Sequence, residues 1–182
     1  RVFKAARKYA EDFSLEDAQG YPSLILHSEG YGVGKTHLAV AAVHRIIDRW
    51  CGNPEGAICP VLFQAGPGLI VRVRATYNIR SGECWHETEE EVYRSLRGVK
   101  LLILDDVGKE KASDHTREVY FRIIDERYQR GLPVLITSNL ALSGLKTLMG
   151  EATVSRLAEM TGGRVIKMSG EDYRLKKGVN ER

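Results

Sequence analysis

The chain has 182 residues, 43% of them hydrophobic and 28% charged, with a formal net charge of +3 that points only weakly to a polyanionic partner. That length suits one domain with its own core, and no run approaches the ~18 apolar residues a membrane span needs. The three cysteines, Cys51, Cys59 and Cys84, lack C-x-x-C pairing and a nearby histidine set, which argues against a disulfide scaffold or zinc site and for reduced thiols in a cytoplasm.

The chain opens without Met on a charged, helix-like stretch, Arg1 to Phe13, that carries no apolar core or cleavage site of a signal peptide. A single domain over 1–182 is expected, preceded by a partner-binding domain outside this sequence. Ser23 to His27 reads as a short buried strand after the turn Gly20-Tyr21-Pro22. From Lys35 to Trp50, apolar residues recur at three- and four-residue steps, which predicts a helix with one buried face. Pro60 to Ala65 is a second strand, and a helix from about Pro67 to Tyr77 follows with Pro in its first turn. Asn78 to Trp85 reads as a loop. Thr88 and Glu91 have the spacing of a capping box ahead of a helix through Val92, Tyr93 and Leu96.

Val99 to Leu104 is the most apolar strand and is expected at the centre of the sheet. Asp114 to Arg130 predicts an amphipathic helix stopped by Gly131. Pro133 to Thr137 is a fourth strand. Helices over Leu142 to Met149 and Glu151 to Met160 and a fifth strand over Val165 to Met168 complete the chain. Strands alternating with helices predict an α/β fold on a mainly parallel sheet of five strands.

The densest chemistry is Gly30-Tyr31-Gly32-Val33-Gly34-Lys35-Thr36, between a strand and a helix. Glycines let backbone N–H groups wrap a triphosphate, and the helix N-terminus adds its positive dipole end. Lys35 is expected on the β- and γ-phosphates and the Thr36 hydroxyl on Mg²⁺. The P-loop pattern has glycine where this chain has Glu29, which puts the start of the loop in question.

Leu101 to Leu104 then runs into Asp105 and Asp106. A buried strand delivering carboxylates beside a phosphate loop predicts Asp105 as a Mg²⁺ ligand through water, in the Walker B role. Asp106 is the candidate to orient or deprotonate the attacking water. A solvated Asp-Asp turn at a strand end is the plainer alternative.

With both halves in view, the sequence resembles the AAA+ ATPase domain of the DnaC/DnaI helicase loaders, a group close to the IstB transposition ATPases. Gly32 to Ala39, including His37 and Leu38, is similar to the loader P-loop, and Leu104-Asp105-Asp106-Val107-Gly108 to the loader Walker B. The resemblance implies an AAA+ fold without a sizeable C-terminal lid, ATP and Mg²⁺ as ligands, self-association through the ATP site, a replicative ring helicase and single-stranded DNA as partners, and no membrane. It implies a sensor role for Asn139, which also suits a helix cap. It implies that Arg156 is a finger reaching a neighbouring subunit's nucleotide, where a solvated helix arginine is the alternative. It places Arg174 in the sensor 2 region.

The segment carrying Arg72, Arg74, Tyr77 and Arg80 corresponds by resemblance to an initiator element that contacts single-stranded DNA. The same residues also fit one solvated helix face. Three further readings stay open: a transposition helper acting on duplex DNA, a P-loop small-molecule kinase, and a module that binds ATP without hydrolysing it.

Overall fold

The computed structural model describes residues 2–51, 58–78 and 87–177. Helix α1 (Val2–Asp12) leads into strand β1 (Leu24–His27) and helix α2 (Lys35–Trp50). Strand β2 (Val61–Ala65) is followed by α3 (Gly66–Ala75) and a 3-10 turn, Thr76–Asn78. Next come α4 (Glu89–Gly98), β3 (Leu101–Val107), α5 (Asp114–Gln129) and β4 (Val134–Ser138). Helices α6 (Leu142–Met149) and α7 (Glu151–Thr161), strand β5 (Val165–Lys167) and the short α8 (Tyr173–Lys177) complete the described chain. Arg80, Cys84 and most of the expected Asn78 to Trp85 loop lie outside the described residues.

The five strands are all parallel, in the order β2-β3-β4-β1-β5. β4 therefore holds the centre, and β3 sits one place to its side, a correction to the expectation from apolar content. The reason is physical: β3, β4 and β1 are all interior strands whose residues are almost entirely buried, so hydrophobicity marks "interior" without ranking the interior strands.

Side chains alternate between the two faces of the sheet, on β3 as far as Leu104. Leu101, Ile103, Leu135, Leu24 and Leu26 pack with α1 and α2 on one face. Leu102, Leu104, Val134, Ile136 and Ile25 pack with α3 to α7 on the other. The result is a three-layer sandwich in which the carboxyl ends of β1, β3 and β4 open side by side, where ligands bind in open parallel sheets.

Local chemistry agrees with the element ends. Thr88 Oγ1 accepts from the Glu91 N–H while the Glu91 carboxylate accepts from the Thr88 N–H at 2.8 Å, closing the capping box that starts α4. Ser113 caps α5 by accepting from Thr116 N–H at 3.1 Å.

Arg127 on α5 is the largest fully buried side chain. Its guanidinium donates to the carbonyls of Leu96, Val99, Lys100 and Pro133 at 2.7–3.3 Å. These four acceptors flank the amino ends of β3 and β4, so one cation ties α4, α5 and both strand starts together. Burial pushes its pKa down to about 9, still charged at neutral pH. Arg127→Met is expected to strand the buried carbonyls and cost about 3–5 kcal/mol. Thermal denaturation should register it as a Tm lowered by about 10 °C.

Candidate active site

Ser28 closes β1 and turns the chain into the glycine loop, its hydroxyl accepting from Gly30 N–H at 3.0 Å. Gly32 and Gly34 hold φ of 64° and 93°, a left-handed conformation that side-chain-bearing residues avoid. Nothing lies within 4 Å of where a Cβ on Gly34 would sit, and α2 starts at the next residue. Tyr31 to His37 lines one side of a cleft of about 320 Å³. Asp106, Lys109 and Asn139 line a second side, and Gly170, Tyr173 and Arg174 a third.

Glu29, at the position where the P-loop pattern has glycine, turns its carboxylate away from the loop to Lys167 on β5 at 2.9 Å. That hydrogen bond and ion pair hold its pKa below the usual carboxylate value. Lys35 is buried, with Nζ donating to Gly30 O at 3.0 Å. Burial holds its pKa below the ordinary lysine value; Asp106 and Asp105 favour its charge, and Lys109 and Arg174 oppose it. A buried ammonium bonded to one carbonyl is a ready partner for an anion.

Asp105 follows Ile103 on the α2 face by ordinary alternation, whereas Asp106 owes its placement to a β-bulge. The β3–β4 register runs Leu104↔Ile136 and then Val107↔Ser138, so Asp105 and Asp106 together face one residue, Thr137. In a regular strand, neighbouring side chains point to opposite faces; the inserted residue lets Asp106 line the cleft while Asp105, beside it, bonds the cleft residue Thr36. Asp106 takes φ 56°, a positive φ that no other non-glycine residue shares among the described residues. Thr137 Oγ1 donates to Asp105 Oδ1 at 2.6 Å and accepts from Asp106 N–H at 2.9 Å. Asp105, 6% exposed, also accepts from Thr36 Oγ1 at 3.0 Å. Asp106 points its carboxylate to Lys109 at 2.7 Å.

These donors suit magnesium triphosphate. Among the described residues no group of three or more His, Cys, Asp or Glu could hold a metal unaided. Mg²⁺ characteristically takes one or two protein oxygens and completes its shell with phosphates and water. The Thr36 hydroxyl and Asp105 carboxylate, adjoining the loop, are that kind of pair.

The remaining expected residues divide. Asn139 follows β4 directly and lines the cleft, as does Arg174, whose N–H donates to Asp172 Oδ1 at 2.9 Å. Arg156 on α7 is absent from the cleft lining; its Nε pairs with Asp125 at 2.8 Å, and its guanidinium lies 5.1 Å from the Phe121 ring centre. Arg72 bridges α3 to its neighbours, donating to Glu87 at 2.8 Å, Gln64 at 3.2 Å and Ser95 at 3.1 Å. Its charge is thus already partnered within the domain. Arg74 is exposed, and Tyr77 is 56% exposed with its ring edge-on to His115.

Sequence reasoning missed Thr137, Lys109 and Asp172. Thr137 ends the expected fourth strand, but its hydroxyl carries no signal until the bulge sets Asp105 and Asp106 opposite it. Asp172 packs so closely on Gly32 that a Cβ there would overlap its carboxylate, and Tyr173 N–H donates to Gly32 O at 3.2 Å.

The profile of the IstB-like ATP binding proteins matches residues 70–180. The chain belongs to the IstB-like ATP-binding family. It is also 29% identical, over 157 residues, to the replicative helicase loader DnaC of Buchnera aphidicola subsp. Schizaphis graminum, an alignment covering 86% of this chain and 57% of that one. The chain spans less than two thirds of the length of the DnaC relatives it matches. A crystal structure of the DnaC helicase loader superposes with a TM-score of 0.69 at 26% identity, covering 91% of this chain and 87% of the other. The replication initiator DnaA bound to AMPPCP and single-stranded DNA has the same fold, with a TM-score of 0.69 at 20% identity over 99% of this chain and 50% of its own.

The domain is thus an ATP-binding AAA+ domain of the DnaC type. No described helix is long and apolar enough to cross a membrane. Lys35→Ala is expected to weaken ATP binding by about 10- to 150-fold, the value of a charge-assisted hydrogen bond. Titration with a fluorescent ATP analogue measures this, and an unchanged affinity would remove the cleft from consideration.

Proposed function

We propose that this domain is the ATPase of a helicase loader: it binds and hydrolyses ATP with Mg²⁺, engages single-stranded DNA and delivers a ring-shaped replicative helicase to it. The observation that carries the hydrolytic part is the bulge that sets Asp106 in the cleft with Lys35 and Thr36, next to Asp105 bonded to Thr36. The likeness to DnaC loaders over most of the chain supports the loader part.

In this reading the glycine loop and Lys35 hold the β- and γ-phosphates. Thr36 and Asp105 would hold magnesium, which when bound would supply charge neutralisation for the γ-phosphate oxygens. A water oxygen bonds the γ-phosphorus as the bond from that phosphorus to the ADP oxygen breaks. The water proton passes to the Asp106 carboxylate, and the ADP oxygen leaves with the bonding pair. Asn139 orients the water or the γ-phosphate, and Arg174 approaches the phosphates from the α8 side.

Arg156, outside its own cleft, acts on the nucleotide of a neighbouring copy, and its pair with Asp125 holds the guanidinium in place until then. Arg74 and Tyr77 are the exposed candidates for DNA, by phosphate neutralisation and base stacking. Turnover is slow and governed by partners, suiting a timing switch, and a further domain upstream selects the helicase.

The family match supports a second reading, a transposition helper working on duplex DNA. Anisotropy of labelled single-stranded DNA separates the two. Binding that needs a non-hydrolysable ATP analogue and resists duplex competitor is expected for the loader, whereas preferential displacement by duplex indicates the helper. Asp106→Asn is expected to bind ATP normally and to lower hydrolysis by about 100- to 10,000-fold. Arg156→Ala is expected to lower hydrolysis by at least about 100-fold in assembled subunits. Mixing the two variants should restore part of the phosphate release, because each supplies what its neighbour lacks. A mixture as inactive as its components would contradict action in trans.

A further inference from the structure

The ion pair between Lys109 and Asp106 has no part in the chemistry above, yet it lies inside the cleft. Lys109 Nζ donates to Asp106 Oδ2 at 2.7 Å, and both residues line the same cavity as Lys35 and Asn139. The backbone between them is fixed on all sides. Asp106 N–H is held by Thr137 at 2.9 Å, Val107 O accepts from Ser138 Oγ at 2.6 Å, and Gly108 N–H donates to Glu110 Oε2 at 2.7 Å. The other Glu110 oxygen accepts from the buried Tyr120 hydroxyl. Gly108, at φ 110°, packs against Leu140 with no room for a side chain. What remains free to move is the four-carbon stem of Lys109, which is 43% exposed along its side chain.

An ammonium clasped on a carboxylate occupies the oxygen that a water would otherwise approach. A γ-phosphate presents more charge and more oxygens than one carboxylate. Lys109, rooted beside Asp106 and facing the cleft that holds Lys35, has both anions within the sweep of its stem. Its charge is already felt at Lys35, which it disfavours together with Arg174.

We propose that Lys109 is the residue by which this site distinguishes a triphosphate from a diphosphate. It holds Asp106 while no γ-phosphate is present, and moves to a γ-phosphate oxygen when ATP enters, leaving the Asp106 carboxylate open to water. ADP offers no third phosphate, so with ADP the clasp stays closed. The inference rests on reading the cleft as the nucleotide site and Asp106 as the proton acceptor. It adds a specificity-determining contact that pairs base release with substrate identity.

The test is equilibrium binding of a non-hydrolysable ATP analogue and of ADP, each with Mg²⁺, to the wild type, Lys109→Met, Lys109→Arg and Lys35→Ala. Lys109→Met is expected to lose about tenfold in affinity for the triphosphate and to keep its ADP affinity, which also shows that it is folded. Lys109→Arg, retaining the cation, is expected to keep most of the preference. An unchanged triphosphate-to-diphosphate ratio in Lys109→Met overturns the proposal and leaves an ordinary exposed ion pair. The Lys35→Ala arm reports on the site itself: loss of both nucleotides upholds it, whereas undiminished binding of both overturns the nucleotide-site reading and this proposal with it.

Discussion

The hydroxyl of Thr137 sits between two adjacent aspartates and serves both, giving its proton to Asp105 and taking the backbone N–H of Asp106. A hydroxyl has one donor and two acceptor positions, so this use saturates the donor and fixes the rotamer. The threonine is fully buried on β4, where solvent does not compete. This bond pair holds the bulge in place, fixing the Asp105 carboxylate and the backbone of the left-handed Asp106. It also fixes the spacing to Thr36 across β1 and α2, because Asp105 is held from both sides. A left-handed aspartate is strained by about 1–3 kcal/mol, and two buried hydrogen bonds are of the size needed to offset that.

The rest of the fold supplies the rigid frame that makes such a bond possible. Arg127 locks the amino ends of β3 and β4 to α4 and α5. Their carboxyl ends are thereby presented in a register the site depends on. Far more charge lies on the α4–α5 surface, where Arg97, Arg122, Glu89, Glu90 and Glu126 interlace. Those side chains are partly exposed, and pairs of that kind contribute about 0–1 kcal/mol each. One buried guanidinium with four carbonyl acceptors outweighs several of them.

How much of this could be read from the chain alone depends on how local each signal is. The P-loop, the helix over Lys35 to Trp50 and the capping box at Thr88 were legible because glycine spacing, apolar periodicity and cap chemistry act within a few residues. The five strands were legible as apolar runs, and their parallel arrangement followed from the alternation with helices. Their order was not, since β3 and β4 are equally buried. The reach of β3 to Val107 was hidden as well, because two aspartates look like a strand end and the bulge exists only against β4. The partnership of Arg72 with Glu87, Gln64 and Ser95 joins positions up to 23 residues apart, and no pattern in the α3 segment announces it.

The contact between Gly32 and Asp172 joins the phosphate loop to a segment 140 residues later. Gly32 already has a backbone conformation that disfavours any side chain, and the Asp172 carboxylate occupies the place a Cβ would take. Neither position is therefore free to drift by itself. A larger residue at 32 has to arrive with a retreat at 172, and a bulkier one at 172 presses on the loop whose shape defines the phosphate site. Divergence in this lineage is thus expected to treat these two distant positions as one inherited unit, surviving or changing together.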